Sequence, residues 1–161
     1  MSIDRVRDFF RPLDREQDIL EFDVSIATVE LAAQAVGVIP ARIAKTLSFL
    51  VDDQCVLIVA AGDAKIDNGK FTSVFHTKAK MLAPEQVAAC TGHAVGGVCP
   101  FANPEGVRTY LDVSVKRFST VFPAAGSSNS AIELTCAELE EYSHCQDWID
   151  ICKAWQETTL P

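Results

Sequence analysis

The stretch Gly92–Phe101, which reads GHAVGGVCPF, most strongly constrains how this chain folds. Three glycines and one proline fall within nine residues, between segments with the patterns of regular structure. Glycine permits φ > 0 and a close approach to a ligand, and proline fixes the direction in which the chain leaves. The loop can therefore direct several backbone N–H groups at one oxygen, as in a site that polarises a carbonyl group. A tight surface turn explains the same pattern without any ligand.

The segments around this loop predict short strands interrupted by short helices. Residues 28–36 predict a helix that ends at Gly37, and Pro84 begins a second helix that stops at Gly92. Two apolar segments, 45–51 and 55–61, predict strands paired antiparallel. Further strands are predicted at 18–24, 78–82, 107–112, 120–125, 131–134 and 148–152, and further helices at 3–11, at 67–75 and after the N-cap Thr135. We therefore expect one α+β domain over residues 1–161 with a mixed, mostly antiparallel sheet.

Composition excludes some classes of function. Hydrophobic residues make up 48% of the 161 residues, so we expect a sizeable core. The longest apolar run, 55–61, is too short to span a bilayer, and the charged N-terminus does not resemble a signal peptide. We therefore expect a cytoplasmic protein with no membrane partner. The net charge of −8 argues against loose binding along a DNA backbone.

Six cysteines, at positions 55, 90, 99, 136, 145 and 152, form no C-x-x-C pair. This spacing argues against a zinc site, so we expect free thiols and neither a metal nor a cofactor. Cys99 differs because it lies in the glycine loop, with His93 as the nearest candidate base. It is either a thiol that lines a pocket or a nucleophile.

Two further features are candidates for the same site. Lys45 lies within the apolar run Ile43–Leu47, where an ammonium group must reach water or a partner. Its alternative is a side chain that merely extends to solvent. The polar loop Gly126–Asn129 lies between two predicted strands and is either part of the site or an ordinary hairpin.

The chain contains no G-x-S-x-G, Walker, H-E-x-x-H or G-x-G-x-x-G motif. Any catalysis must therefore use positioning and backbone electrostatics on an activated bond such as an ester.

The order of these motifs resembles a known family. In sequence they are TVELAA from Thr28, AKTL from Ala44, TGHAVGGVCPF from Thr91, and Ala125-Gly126 followed by Ile132-Glu133-Leu134. This order is similar to that of the YbaK/prolyl-tRNA-synthetase-associated editing domain family, and the resemblance covers about residues 18–152. It implies a mixed sheet curled toward a barrel and flanked by helices. It also implies a free-standing, ProX-like aminoacyl-tRNA deacylase, which removes a small non-cognate amino acid such as alanine or cysteine from tRNA(Pro).

The resemblance also assigns site residues. Lys45 is expected to hold the terminal adenosine of the tRNA acceptor end or its phosphate, with Gly96 and Gly97 as the other catalytic residues. The loop Gly96–Pro100, including Val98, Cys99 and Pro100, is expected to hold the aminoacyl group. Thr28 and Leu31 are expected to limit the size of the side chain admitted. The remaining expected substrate-binding residues are Thr46, Gly126, Ser127, Ser128 and Asn129. The expected partners are aminoacyl-tRNA and prolyl-tRNA synthetase.

The chain also departs from the family pattern. Many relatives have serine where Cys99 precedes the loop proline, and the cysteine-editing branch has charged groups where this chain has Ala125–Ala131. These differences leave the amino acid that is removed undecided. Two other functions stay open. One is a non-catalytic tRNA- or nucleotide-binding module with the same pocket, and the other is a thiol enzyme that uses Cys99.

Overall fold

A computed structural model describes residues 2–93 and 96–157. Five α-helices lie within these residues. They are α1 (Ser2–Phe10), α2 (Val29–Val36), α3 (Asn68–Phe75), α4 (Pro84–Thr91) and α5 (Cys136–Ser143). No helix in this part of the chain is both long and apolar enough to cross a membrane.

Ten strands form one large sheet and two small ones. They are β1 (Leu20–Glu21), β2 (Ile43–Val51), β3 (Gln54–Ala61), β4 (Lys65–Ile66), β5 (Arg108–Asp112), β6 (Thr120–Pro123), β7 (Ser130–Ala131), β8 (Leu134–Thr135), β9 (Trp148–Ile149) and β10 (Cys152–Lys153). The six-stranded sheet has the order β8-β6-β2-β3-β5-β9 and curls into a half-barrel. Two antiparallel ribbons, β1 with β7 and β4 with β10, lie beside it.

The predicted α+β class with a mixed sheet is confirmed. Within the large sheet, β2 pairs antiparallel with β3, and β6 pairs antiparallel with β8. The other three pairings, β2 with β6, β3 with β5 and β5 with β9, are parallel. The two ribbons bring the antiparallel pairings of the described residues to four, against three parallel ones.

Local sequence signals placed the helix ends well. The Thr28 hydroxyl accepts a hydrogen bond from the Leu31 N–H at 3.2 Å, and α2 ends where Gly37 adopts φ 77°. Gly92 ends α4 in the same left-handed conformation. At α5, Thr135 and Glu138 form the reciprocal capping box that their spacing predicts. Each signal acts within one turn, so it does not depend on distant packing.

Several predicted strands are shorter than expected or wrong. Of the predicted strand 18–24, only Leu20–Glu21 forms a strand, β1, which pairs with β7. The predicted strand 78–82 is wrong, since the segment makes only a single bridge, between Met81 and Phe49 of β2. The predicted strand 131–134 is divided between β7 and β8.

The predicted strand 148–152 is also divided. Trp148–Ile149 forms β9 at the edge of the large sheet, whereas Cys152–Lys153 pairs with β4 in a separate ribbon. The break lies where the Ile151 N–H donates to the Asp112 carboxylate at 2.9 Å. At this point the backbone N–H therefore bonds to a buried side chain and not to a neighbouring strand.

The core covers both faces of the central hairpin. Residues 56–61 of β3 are fully buried, as their uninterrupted apolar sequence predicts for a central strand. One apolar cluster includes Phe10, Phe101 and Leu139, and another includes Phe49 and Phe71. A third cluster packs α2 on the sheet through Ala32, Ala33, Ile43 and Phe122. This third cluster borders the cavity described next.

Candidate active site

A cavity of about 280 Å³ opens between α2, β2 and α4. Its wall is mostly apolar and includes two residues of the glycine loop, Gly96 and Val98. The lining residues are Ile26, Ala27, Thr28, Val29, Ala32, Val36, Ile43, Ala44, Lys45, Thr46, Ser48, Leu82, Pro84, Val87, Gly96, Val98, Phe122, Ala124 and Ala131. The structure thus brings five predicted site residues together here, namely Thr28, Lys45, Thr46, Gly96 and Val98.

Lys45 is held by backbone carbonyl groups at the end of β3. Its ammonium donates to the carbonyl of Gly62 at 3.3 Å and to that of Ala64. Burial lowers the pKa of Lys45 below its ordinary value of 10.5. An ammonium has three N–H donors, so one remains for a substrate oxygen at the cavity wall.

Close packing fixes the turn that holds Lys45. A Cβ atom on Gly62 would lie 2.1 Å from the carbonyl oxygen of Pro40 and 2.6 Å from Cγ1 of Val29. Gly62 therefore lets the end of β3 pass directly beneath the start of α2. Sequence reasoning missed this position, because a single glycine after an apolar strand is also an ordinary strand ending.

The α2 helix places two predicted residues differently. Thr28 lines the cavity, although its hydroxyl already caps the helix through the Leu31 N–H. Leu31 is 43% exposed and is not among the described residues of the cavity wall. Its expected role in limiting side-chain size therefore stays a prediction, and Val29, Ala32 and Val36 of the same helix do line the cavity.

The glycine loop has two kinds of contact. Ala94 and Val95 lie outside the described residues, and the loop is described again from Gly96, which has φ 84° and lines the cavity. Gly97 instead packs on the later loop, where a Cβ atom would lie 2.8 Å from Cα of Ser127 and 2.9 Å from the carbonyl carbon of Gly126. Pro100, at the end of the loop, is buried and does not line the cavity in the described structure.

The later loop is held together by its own polar groups. The Ser127 hydroxyl lies 2.8 Å from Oδ1 of Asn129 and 2.6 Å from the Ser130 hydroxyl. The Asn129 amide donates to the carbonyl of Phe22 at 2.9 Å, and the carbonyl of Ser128 accepts from the Ile26 N–H at 2.7 Å. These two hydrogen bonds hold the segment before α2 against the later loop, next to Gly96. Gly126, Ser127, Ser128 and Asn129 do not line the cavity in the described structure, so their expected substrate contact stays a prediction.

Cys99 is enclosed with His93 in the core rather than in the cavity wall. Both residues are fully buried, and Sγ of Cys99 lies 3.6 Å from Nε2 of His93. Arg5 can only donate, and it lies 3.5 Å from Nδ1 of His93, so the ring proton belongs on Nε2. Nε2 then donates to the carbonyl of Phe101 at 3.0 Å and cannot accept a proton from the thiol. Burial also raises the pKa of the Cys99 thiol to about 12, so these contacts argue against a nucleophilic thiolate.

We expect Cys99→Ser to keep kcat/KM for ester hydrolysis within about tenfold of the wild-type value, because the residue packs behind the loop. Loss of a true nucleophile would instead lower the rate by on the order of 10³-fold or more. Steady-state kinetics with the folded variant distinguishes the two, and circular dichroism verifies its fold. A loss of kcat/KM of the larger size, in a folded variant, would support Cys99 as the nucleophile.

His93 predicts a pH dependence of stability. Burial lowers its pKa below the ordinary value of 6.5, and the positive charge of Arg5 acts in the same direction. As the pH falls below 6.5, the unfolded chain binds a proton that the folded protein excludes, so the free energy of unfolding decreases. We expect His93→Gln to lose less stability than the wild type between about pH 7.5 and about pH 5.5 in denaturant titrations.

His76 provides a matched control for this experiment. It is exposed and has φ 60°, a conformation that asparagine tolerates. We expect His76→Asn to keep the wild-type pH dependence. Equal pH dependence of the wild type and His93→Gln would contradict the assignment to His93.

Ser48, Val87 and Phe122 also line the cavity but were not among the predicted site residues. Ser48 lies two residues after Thr46 on β2, so strand alternation could have placed it on the same face. Val87 and Phe122 have no such signal, since their places depend on how α4 and β6 pack against β2.

Known proteins resemble this chain over most of its length. Residues 23–142 match the family model described as "Aminoacyl-tRNA editing domain". YwhH, an uncharacterised protein of Bacillus subtilis, is 57% identical over 157 residues, which cover 97% of this chain and 100% of YwhH. The proline–tRNA ligase of Leuconostoc citreum is 28% identical over 116 residues, which cover 69% of this chain but only 20% of the ligase.

The fold also matches a solved structure described as "a putative trans-editing enzyme for prolyl tRNA synthetase". The two share 28% identity with a TM-score of 0.84, over 94% of this chain and 97% of the other. The family model covers well over half of the chain, and these residues include Lys45 and the glycine loop. The chain therefore belongs to the aminoacyl-tRNA editing domain family, as its motifs predict.

Proposed function

We propose that this protein is a trans-editing hydrolase that deacylates mischarged aminoacyl-tRNA. The substrate we propose is tRNA(Pro) carrying a small non-cognate amino acid such as alanine or cysteine. One observation carries the proposal: Lys45 and Gly96, two of the three residues expected to be catalytic, line the same cavity. Membership of the editing family supports an aminoacyl-tRNA ester as the substrate of that cavity.

The chemistry needs little beyond positioning. An aminoacyl ester is already reactive, and no Asp, Glu or His lines the cavity within the described residues. Water adds to the carbonyl carbon, the bond to the ribose oxygen breaks, and that oxygen takes a proton as the tRNA leaves. The remaining N–H of Lys45 and the backbone N–H groups of the loop would stabilise the negative charge that develops on oxygen. The 2′-hydroxyl of the terminal ribose, which belongs to the substrate, can orient the attacking water.

The cavity wall supports a small side chain. Val36, Ile43 and Phe122 line the cavity, and its volume of about 280 Å³ must hold the ester and the end of the tRNA as well as the amino-acid side chain. Size alone discriminates by only about 1–3 kcal/mol per methylene group. This suits an enzyme that acts as a second selection step after a synthetase has made the error, and we propose prolyl-tRNA synthetase as that enzyme.

A panel of charged tRNAs tests the proposal. Purified protein is mixed with tRNA(Pro) carrying alanine, cysteine, serine or proline, and with correctly charged alanyl-tRNA(Ala). We expect rapid release of alanine or cysteine from tRNA(Pro), while the prolyl ester persists. If the protein binds tRNA(Pro) but accelerates no hydrolysis, it is a non-catalytic tRNA-binding module and not an enzyme. Equal hydrolysis of prolyl-tRNA(Pro) would contradict an editing role.

A further inference from the structure

Helix α4 lies on the cavity side of the central hairpin. Its residues Pro84 and Val87 line the cavity together with Ser48 of β2. Alternate residues of a strand point to the same face, so the side chain of Leu50 lies on this face as well. Cys55 of β3 is the direct partner of Leu50 in the antiparallel pair, and directly opposite residues share a face of the sheet. The side chain of Cys55 therefore points toward the face on which α4 lies.

The last turn of α4 brings a second cysteine to this face. Residues three and four positions apart lie on one side of a helix, so Cys90 and Thr91 lie on the same side as Val87. Val87 and Thr91 are buried. The Cys90 thiol donates to the carbonyl of Val87 at 3.6 Å, and the thiols of Cys55 and Cys90 are hydrogen-bonded to each other. Two reduced thiols, one on a strand and one on a helix, are thus in direct contact.

The two thiols differ in their access to solvent. Cys55 is only 9% exposed, whereas Cys90 is half-buried. Burial raises the pKa of the Cys55 thiol to about 12, and the hydrogen bond with Cys90 acts in the same direction. An oxidant from solvent therefore reaches Cys90 first, with Cys55 beside it as the second thiol. An accessible thiol next to a resolving thiol is the usual arrangement of a redox-responsive cysteine.

We propose that Cys55 and Cys90 form an oxidation site, at which a peroxide converts the two thiols into a disulfide that ties α4 to β3. The Cys90 sulfur attacks hydrogen peroxide, the O–O bond breaks, and the products are a sulfenic acid on Cys90 and water. The Cys55 sulfur then bonds to the Cys90 sulfur, the S–O bond breaks, and the hydroxyl leaves as water with the Cys55 proton. The thiols together lose an electron pair, which reduces the peroxide. A dithiol reductant reverses the reaction by thiol–disulfide exchange.

The disulfide acts on one wall of the cavity. Helix α4 has eight residues, of which only Val87 and Thr91 are buried. An element with few buried contacts opens locally at a low cost in free energy. A covalent bond from its last turn to β3 restrains this opening. Because the bond is only about 2.0 Å long, it also draws the last turn closer to the sheet than a hydrogen bond between thiols does. The lining residues Pro84 and Val87 belong to the same helix, so the disulfide also restrains this wall of the cavity.

Two other cysteines have different surroundings. Cys99 is fully buried against His93, and Cys152 is fully buried with its thiol hydrogen-bonded to Asp112. Burial keeps peroxide away from both thiols in the folded protein. Cys99 also shares a tryptic peptide with Cys90, because no Lys or Arg lies between them. The variant Cys99→Ser is therefore the matched control for Cys90→Ser.

Peptide mapping after mild oxidation tests the assignment. Folded, reduced protein is treated with an equimolar amount of hydrogen peroxide, the remaining thiols are alkylated, and the tryptic digest is analysed by mass spectrometry. We expect peptide 46–65 to be linked to peptide 81–108 in the wild type and in Cys99→Ser, but not in Cys90→Ser. If Cys90→Ser does not fold, fragmentation of the wild-type link identifies the bonded residue. A link through Cys99, or oxidation of Cys90 to a sulfinic acid without any link, would overturn the proposal.

Hydrogen exchange measures the effect on the cavity wall. We expect the amides of residues 88–91 to exchange about tenfold or more slowly in the oxidised protein than in the reduced protein, and a dithiol to restore the faster rate. Peroxide should leave these rates unchanged in Cys90→Ser. Unchanged exchange in a protein that carries the link would contradict the restraint on α4. Neither measurement uses an aminoacyl-tRNA, so their outcome is independent of the proposed function.

Discussion

Replacing Lys45 with alanine is expected to lower kcat/KM for deacylation of mischarged tRNA(Pro) by about 10²-fold or more. The physical reason is the loss of a charge-assisted donor that the carbonyl groups of Gly62 and Ala64 hold in place at the cavity wall. A fixed donor stabilises the developing oxyanion without any reorganisation during the reaction. The measurement is single-turnover hydrolysis with enzyme in excess.

Two further variants separate the charge from the side-chain stem. Lys45→Met keeps most of the apolar stem, so we expect it to be as inactive as the alanine variant while retaining more of the stability. Lys153→Ala removes an exposed lysine on β10, and we expect wild-type activity. Wild-type kcat/KM in folded Lys45→Ala would remove this residue from the mechanism.

Replacing Gly97 with alanine is expected to damage both folding and activity. The added Cβ would lie 2.8–2.9 Å from three backbone atoms of Gly126 and Ser127, which cannot move as a flexible side chain can. Overpacking of this kind lowers the free energy of unfolding by about 1–3 kcal/mol. Separation of the two loops also shifts Gly96, and a displacement of about 1 Å in a positioned site lowers the rate by roughly 10²-fold. Denaturant titration and single-turnover kinetics measure the two effects.

Gly106→Ala is the matched control. Gly106 has φ 97°, and a Cβ there would meet no atom within 4 Å, so only the backbone conformation is penalised. We expect a stability loss of about 1–2 kcal/mol with wild-type kcat/KM. If Gly97→Ala retained full activity, the contact between the glycine loop and the later loop would not position the site.

The sequence predicted features that depend on few neighbouring residues. Thr28 and Gly37 set the ends of α2, and Thr135 with Glu138 caps α5, because each of these interactions lies within one helical turn. The buried hairpin of β2 and β3 followed from its apolar pattern. The motif order also placed Lys45 and Gly96 at one site, and both line the cavity.

Features that depend on distant packing could not be predicted in this way. The segment 78–82 has the alternation of a strand, yet within the described residues it makes only one bridge to β2. Cys99 lies two residues after Gly97 in the sequence, but in the fold it is enclosed by His93 and Phe101 and is not exposed to the cavity. Neither arrangement has a local signature, because each depends on where another element ends.

The most direct test of the central claim is the single-turnover rate at which the wild-type protein releases alanine or cysteine from mischarged tRNA(Pro), compared with spontaneous hydrolysis. The proposed function predicts a large acceleration for at least one of these esters, with the prolyl ester of the same tRNA left close to its spontaneous rate. If neither mischarged ester is hydrolysed faster than it is in buffer, the protein is not a deacylase of mischarged tRNA(Pro). Acceleration of the prolyl ester to the same extent would contradict editing as well.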